Sequence, residues 1–338
     1  MPETLLRVKG LKTQIHTPEG VVRAVDGVDF EVNKGEIVGI IGESGCGKSM
    51  TALSILQLLP PQAKIEGEIL YQGNDLLKYN TSQMREIRGK GISMIFQDPV
   101  TSLNPVFTVG NQICEAITLH QKISQRAAVE KAIEILRLCG LPSPEEQFKR
   151  YPHQLSGGMN QRVMIAMSLV THPELLIADE PTTALDVTIQ AQILDLIKSL
   201  QSKLNMAVLL ITHDLSIISA ITKRVIIMYA GKIVEYAGTN LIFTAAKDIA
   251  SANLHPYTRG LINSVPNIDF MEDEISPLIP ASKRLNTIPG VVPNPMDIPP
   301  GCRFHPRCPV AVPRCREVEP EIRLCGEEHG IRCFEVED

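Results

Sequence analysis

The stretch "GESGCGKS" (42–49) sets three glycines, a lysine and a hydroxyl within eight positions. Gly42, Gly45 and Gly47 let successive backbone N–H groups, those of Ser44 and Cys46 among them, curl around an anion. Lys48 is long enough to reach the outer oxygens of a polyphosphate, and the Ser49 hydroxyl is a ligand for Mg²⁺. Cys46 reads as a small filler of the loop rather than as a reactive thiol. A second set of groups closes the run "LLIADE" (175–180), where apolar residues lead into Asp179 and Glu180. Buried carboxylates are costly unless paired or metal-bound, and a magnesium–nucleotide complex removes that cost. Asp179 then holds the metal through water, and Glu180 faces the water that attacks the terminal phosphate.

These groups need elements to position them. "EIVGIIG" (36–42), "ISMIFQ" (92–97), "LLIADE" (175–180) and "AVLLITHD" (207–214) are short apolar runs ending in polar residues. Runs of this kind are inner strands of a parallel sheet covered on both faces, and such sheets bind ligands at the edge where their polar ends converge. The run "KSMTALSILQLL" predicts a helix directly after the glycine-rich loop, which puts a positive helix end at the anion. Longer helical stretches between the strands make the first 240 residues an α/β domain. About 99–165 reads as an inserted helical subdomain, with "SQRAAVEKAIEILRLCGL" (124–141) as its clearest helix. Residues 241–338 read as an extension of different texture. Nine prolines between Pro289 and Pro320 make that part loop-rich.

Composition narrows the function classes. The 338 residues carry a net charge of −5 and 44% apolar residues, an ordinary globular balance that argues against a broad basic surface for nucleic acid. No run approaches a membrane-spanning length, and the N-terminus shows no apolar leader. A cytoplasmic chain with reduced thiols is the expectation. Of eight cysteines, Cys302, Cys308, Cys315, Cys325 and Cys333 fall in the last 37 residues. A core-poor segment so rich in thiols points to metal: the spacings lack the C-x2-C knuckle of zinc ribbons, an iron–sulfur cluster suits thiolates gathered from loops, and zinc, free thiols or a disulfide remain open.

"LSGGMNQR" (155–162), taken with 42–49, "FQDP" (96–99), "LLIADEP", "TALD" (183–186) and "ITHD" (211–214) in this order, resembles the ATPase subunits of ABC transporters along essentially the whole chain. The resemblance implies a P-loop NTPase fold, ATP and Mg²⁺ as ligands, and a dimer in which ATP lies between the Lys48 loop of one subunit and Ser156, Gly157 and Gly158 of the other. It implies that Gln97 reaches the nucleotide and its Mg²⁺ and couples them to the membrane partner. It further implies that Glu180 is the general base, that His213 contacts the γ-phosphate, and that Asp186 belongs to the loop meeting the opposite subunit. The ring that normally stacks on adenine is missing: "LKTQIHTPEG" offers only Ile15 and His16.

"NLHPYTRGLINSVP" (253–266), "IPGVVPNP" (288–295) and the cysteine array closely resemble the oligopeptide/dipeptide permease subgroup, whose architecture nickel and other solute importers share. That implies a related ATPase or a second copy as partner, two membrane-spanning permease subunits, and indirectly a solute-binding protein. It places the chain at the cytoplasmic face of the membrane as a peripheral subunit. It also implies a [4Fe–4S] cluster on Cys302, Cys308, Cys315 and Cys333, with zinc the alternative and Cys325 left over. A soluble ABC ATPase acting on ribosomes or DNA would carry two cassettes or a long coiled coil, and neither is present. A non-hydrolysing nucleotide module would not need Glu180 and His213.

Overall fold

Long strands with alternating burial begin the chain: β1 (Thr4–Thr17) and β2 (Gly20–Asn33) pair antiparallel through several register shifts. The computed structural model describes residues 3–98, 102–183, 185–245, 253–264, 287–326 and 328–336. Pro99, Ala184, Val265 and Pro266 of the motifs above, and the first residues of the expected helical insert, therefore lie outside the described residues. After β3 (Ile37–Ile41) and α1 (Lys48–Ile55), β4 (Ala63–Tyr71) pairs with β1, and β5 (Asn74–Asp75) completes a four-stranded antiparallel sheet in the order β2-β1-β4-β5. This antiparallel sheet stands beside the strand–helix alternation expected over the first 240 residues.

Helix α2 (Thr81–Ile87) leads to β6 (Ile92–Ile95). Among the described residues the helices that follow are α3 (Val109–His120), α4 (Gln125–Leu138), α5 (Pro144–Gln147) and α6 (Gly157–Leu169). Ser124 caps α4 by accepting the Ala127 N–H at 3.3 Å, so the helix starts where an N-cap residue satisfies an orphan donor. The chain then runs through β7 (Leu175–Asp179), α7 (Val187–Leu204), β8 (Ala207–Ile211), α8 (Leu215–Ile221), β9 (Arg224–Tyr229) and β10 (Lys232–Gly238). Strands β9, β3, β8, β7 and β6 lie side by side and parallel, as the apolar runs predict.

Both faces of this sheet are covered. Ile37 and Ile41 of β3 join one core with helices α3, α4, α6 and α7, while Val38 and Ile40 join a second core against the antiparallel sheet. Each side chain removed from water in this way contributes about 1.5–3 kcal/mol. The polar ends of β3, β7 and β8 consequently arrive at one edge, which is where Gly42, Asp179 and His213 stand.

The remaining described elements include α9 (Thr239–Ala245), α10 (Pro256–Asn263), a 3-10 turn at His305–Arg307, α11 (Arg314–Glu317), β11 (Arg323–Leu324) and β12 (Gly330–Ile331). Strand β12 pairs antiparallel with β10, so the C-terminal hairpin extends the main sheet to eight strands. Gly330 allows this approach, because a Cβ there would come within 2.4 Å of the Tyr236 ring. Beside it, Glu235 is fully buried and accepts the His255 N–H at 3.0 Å and the Thr258 hydroxyl, with His329 Nε2 at 2.7 Å. Burial pushes the Glu235 carboxyl above the usual carboxylate range, partly offset by its His329 and Thr258 hydrogen bonds.

Glu235→Ala strands these three partners in a dry site and is expected to cost about 3–5 kcal/mol. Glu235→Gln keeps an acceptor and is expected to cost less. Urea unfolding midpoints for the two variants check this, and equal midpoints would remove the role assigned to the carboxylate.

Candidate nucleotide site

Residues 42–47 turn tightly between β3 and α1, and two glycines make the turn possible. A Cβ on Gly42 would meet the Met228 carbonyl at 2.2 Å, and one on Gly47 the Ala24 carbonyl at 2.3 Å. Gly47 and Gly45 also have positive φ, 103° and 78°, the region glycine enters without strain. Gly47 is the N-cap of α1 and no side chain caps the helix, which leaves its positive end for an anion. Lys48, 4% exposed, donates to the Gly42 carbonyl at 2.8 Å and the Glu43 carbonyl at 3.1 Å. The Cys46 thiol turns inward, fully buried among the residues of the second core. Burial raises its pKa against the pull of Lys48, as expected of a filler rather than a nucleophile.

Ser49 donates its hydroxyl to Asp179 Oδ1 at 3.0 Å. Asp179 is buried at the tip of β7, and that burial raises its pKa against the Ser49 hydrogen bond. A hydroxyl and a buried carboxylate in contact form a donor set that suits a hard divalent cation. Glu180 follows with φ 47°, a left-handed backbone that turns it out of the strand, and its N–H donates to the Ile211 carbonyl at 2.8 Å. Its carboxylate gathers three partners: Gln97 Nε2 at 3.0 Å, Thr183 Oγ1 at 2.9 Å and His213 Nδ1 at 3.3 Å. Strand ends β6, β7 and β8 thus bring Gln97, Glu180 and His213 together although 83 and 33 residues separate them from one another in the chain.

Ser44, Gly45, Gly47, Lys48, Ser49, Gln97 and Glu180 share one cavity of about 310 Å³. Its far wall is apolar, formed by Ile15, Val22, Ala24 and Pro295. Ile15 lines it and the neighbouring His16 does not, because successive residues of β1 face opposite ways. Pro295 was not legible as a site residue. It arrives from the C-terminal segment and is held by a hydrogen bond from Arg23 N–H to its carbonyl, 3.0 Å.

Ser156, Gly157, Gly158 and Asp186 lie elsewhere, around a separate cavity of about 420 Å³. Ser156 caps α6 by accepting the Met159 N–H at 3.3 Å, and Asp186 caps α7 by accepting the Ile189 N–H at 2.9 Å. Gln161 of α6 donates to the Pro181 carbonyl, which ties this second helix end to the loop that follows Glu180. The geometry brings Asp186 to the second glycine pair and not to Lys48.

In the C-terminal segment, Cys302, Cys308, Cys315 and Cys333 carry free thiols. Burial pushes Cys302 up to about 11, with Cys315 and Cys333 adding to the rise. Cys308 is likewise pushed up to about 11 by burial, then by Cys333, Cys302 and Cys315. Among the described residues no three His, Cys, Asp or Glu side chains stand grouped to hold a metal ion. The four thiols are neighbours, but not at ligating geometry.

An anion-cradling loop, a hydroxyl–carboxylate pair and a triply held carboxylate on parallel strand tips define a nucleoside-triphosphate-hydrolysing domain. The description "ABC transporter" matches residues 25–183, and "Oligopeptide/dipeptide transporter, C-terminal region" matches residues 243–315. The chain is 50% identical over 334 residues, 98% of its length and 95% of the other's, to a probable peptide ABC transporter ATP-binding protein of Sinorhizobium fredii. It is 48% identical, over 98% of its length and 95% of the other's, to the dipeptide transport ATP-binding protein DppD of Bacillus subtilis. Its fold is similar to that of the ATP-binding cassette MJ0796 in a dimeric, post-hydrolysis state bound to ADP and Pi. The TM-score is 0.63 and the identity 27%, covering 69% of this chain and 98% of that one. The chain belongs to the ATP-binding subunits of ABC transporters, in the oligopeptide/dipeptide group, and has the P-loop ABC ATPase fold.

The glycines give a graded expectation. Gly45→Ala meets open space and adds backbone strain alone, about 1–2 kcal/mol. Gly42→Ala drives a methyl into the Met228 carbonyl and is expected to abolish nucleotide binding. Titration with a fluorescent ATP analogue separates the two; equal affinities would contradict the close approach.

Proposed function

We propose that this chain powers the import of dipeptides and oligopeptides by hydrolysing ATP beneath two membrane permease subunits. The observation that carries the reading is the convergence of Gln97, Thr183 and His213 on Glu180, beside Lys48, Ser49 and Asp179. The partner ATPase is a paralogue or a second copy, and a solute-binding protein delivers the cargo. Among the described residues no helix is long and apolar enough to cross a membrane, in keeping with a peripheral subunit at the cytoplasmic face. Residues 1–240 form the nucleotide-binding domain, with its helical subdomain at about 99–165, and 241–338 the extension.

Hydrolysis then proceeds by in-line attack of water on the γ-phosphorus, driven by positioning and electrostatics. Gly42, Ser44, Gly45, Cys46 and Gly47 cradle the phosphates, and Lys48 meets the outer oxygens. Ser49, Asp179 and Gln97 would hold Mg²⁺, which would offset the negative charge of the triphosphate during transfer. Glu180 orients the water and accepts its proton as the bond to the β-oxygen breaks; His213 and Gln97 fix the Glu180 carboxylate. Since Ser156, Gly157 and Gly158 line a cavity apart from Lys48, they serve the nucleotide of the opposite subunit, and Asp186 sits at the same boundary.

In the extension, Cys302, Cys308, Cys315 and Cys333 hold a [4Fe–4S] cluster, with zinc the alternative. The concentration of these thiols in a proline-rich segment with little core supports a shared metal, whose charge would deprotonate them when bound. Ligation requires the loops carrying these residues to draw together. Anaerobically purified protein is expected to be brown, to absorb near about 400 nm, and to contain iron and acid-labile sulfide in equal amounts. Zinc in place of iron would overturn the cluster assignment.

Glu180→Gln is expected to bind ATP, to associate with its partner, and to lose turnover by about 100-fold or more. Sedimentation with ATP and a phosphate-release assay read the two effects separately, and turnover at the parent rate would dismiss Glu180 as the base.

A further inference from the structure

Glu43, the second residue of the phosphate loop, is tied to the C-terminal segment through both its backbone and its side chain. Its N–H donates to the Tyr257 hydroxyl at 2.9 Å. Its carboxylate receives a fork from Arg307, Nη1 to Oε2 at 2.6 Å and Nη2 to Oε1 at 3.0 Å. Arg307 is itself 8% exposed. It donates to the Pro289 carbonyl at 2.9 Å, the Ile288 carbonyl at 3.3 Å and the Tyr229 hydroxyl at 3.4 Å, and its guanidinium lies 5.8 Å from the Tyr229 ring centre. The rings of Tyr229, Tyr257 and Phe304 pack against one another below it, with centroids 4.7–5.4 Å apart. On its other side the Glu43 carbonyl accepts the Lys48 ammonium at 3.1 Å. A continuous path of hydrogen bonds thus runs from Arg307, which immediately precedes Cys308, to the lysine of the nucleotide site. A second strut stands beside it: Arg303, which follows Cys302, donates to Asp26 and to the Ala230 carbonyl, and Gly231 N–H donates to the Cys46 carbonyl at 2.9 Å.

A carboxylate inside a loop that must receive a triphosphate is an electrostatic liability. Unopposed, it repels the ligand across a short distance in a partly dry site. A bidentate guanidinium cancels that charge and fixes the direction of the carboxylate, which a lysine, as a point charge, does not do. We propose that Arg307 is a positioning residue for ATP binding: it neutralises and anchors Glu43, so that the extension is a working part of the nucleotide site and not an appendage. The proposal rests on the nucleotide site described above and is independent of which metal the cysteines hold. Because coupling between two sites is reciprocal, nucleotide bound at Lys48 must in turn steady residues 288–308.

Two experiments on the full chain test it. With a fluorescent ATP analogue and Mg²⁺, Arg307→Gln is expected to weaken binding by about tenfold, and Arg307→Lys by less. Adding Glu43→Gln to Arg307→Gln is expected to restore most of the affinity, since the uncovered charge is then gone. A double variant as weak as Arg307→Gln, or an Arg307→Gln that binds like the parent, overturns the proposal. The second experiment needs no variant and so survives any folding defect: in the parent protein, ATP and Mg²⁺ are expected to slow amide hydrogen exchange in 288–308 as well as in 42–49. Slowing at 42–49 alone sinks the brace and leaves the nucleotide site standing. No slowing at either place, with no binding of the analogue, sinks the nucleotide site itself.

Discussion

The phosphate loop is wedged between two carbonyl groups, and the rest of the molecule is arranged to keep them there. Met228 O belongs to β9 and Ala24 O to β2, so one wall comes from the parallel sheet and the other from the antiparallel sheet. Only glycine fits at 42 and 47, because a methyl at either position would overlap one of these carbonyl oxygens. The cost of such a fit is high local strain for any other residue. The benefit is a run of backbone donors whose direction is set by two packed sheets instead of by a mobile loop. The second hydrophobic core lies between those sheets, so packing there fixes the width of the phosphate cradle.

Adjacent carboxylates at the end of one strand acquire different surroundings because the backbone changes hand between them. Asp179 keeps strand geometry and stays buried against Ser49, where loss of water raises its pKa and a cation would lower it again. Glu180, at φ 47°, leaves the strand direction and meets Gln97, Thr183 and His213 from three other segments. A non-glycine residue in that region costs about 1–3 kcal/mol, and here the strain separates a carboxylate held against Ser49 from one gathered by Gln97, Thr183 and His213. The hydrogen bond from Glu180 N–H to Ile211 O anchors the turn to the next strand, so β8 controls both the carboxylate and, through residue 213, its imidazole partner.

Much of this was legible because it is local. Four apolar runs specified inner strands, a run of helical period at 124–141 specified α4, and the glycine pattern specified an anion loop between a strand and a helix. The antiparallel sheet was not legible. Register shifts in β1 and β2 blur the period of two on which strand recognition depends. Nor did the sequence announce Pro295 or Arg307 as neighbours of residues 42–49, since nothing in a run of prolines encodes which distant surface it will lie against. His16 was the residue the sequence offered for adenine, and the structure puts Ile15 in the cavity wall instead. The pleat of β1 decides between them, and that is a property of the folded strand.

Among the described residues the extension buries only a small cluster of its own, Ile331, Cys333 and Val336, and it acquires further order by borrowing from the cassette. Strand β12 completes the edge of β10, Glu235 offers the cassette's only fully buried carboxylate among the described residues to His329 and Thr258, and Phe304 enters the main core between Tyr229 and Tyr257. The cysteines follow the same division: Cys302 and Cys308 pack against the main core, whereas Cys333 packs with Ile331 and Val336 in a small separate cluster. The two arginines that brace the nucleotide loop sit directly beside Cys302 and Cys308, so any force that tightens those two loops is felt at Asp26 and Glu43. Residues 302–308 are therefore shared between the extension and the walls of the phosphate loop.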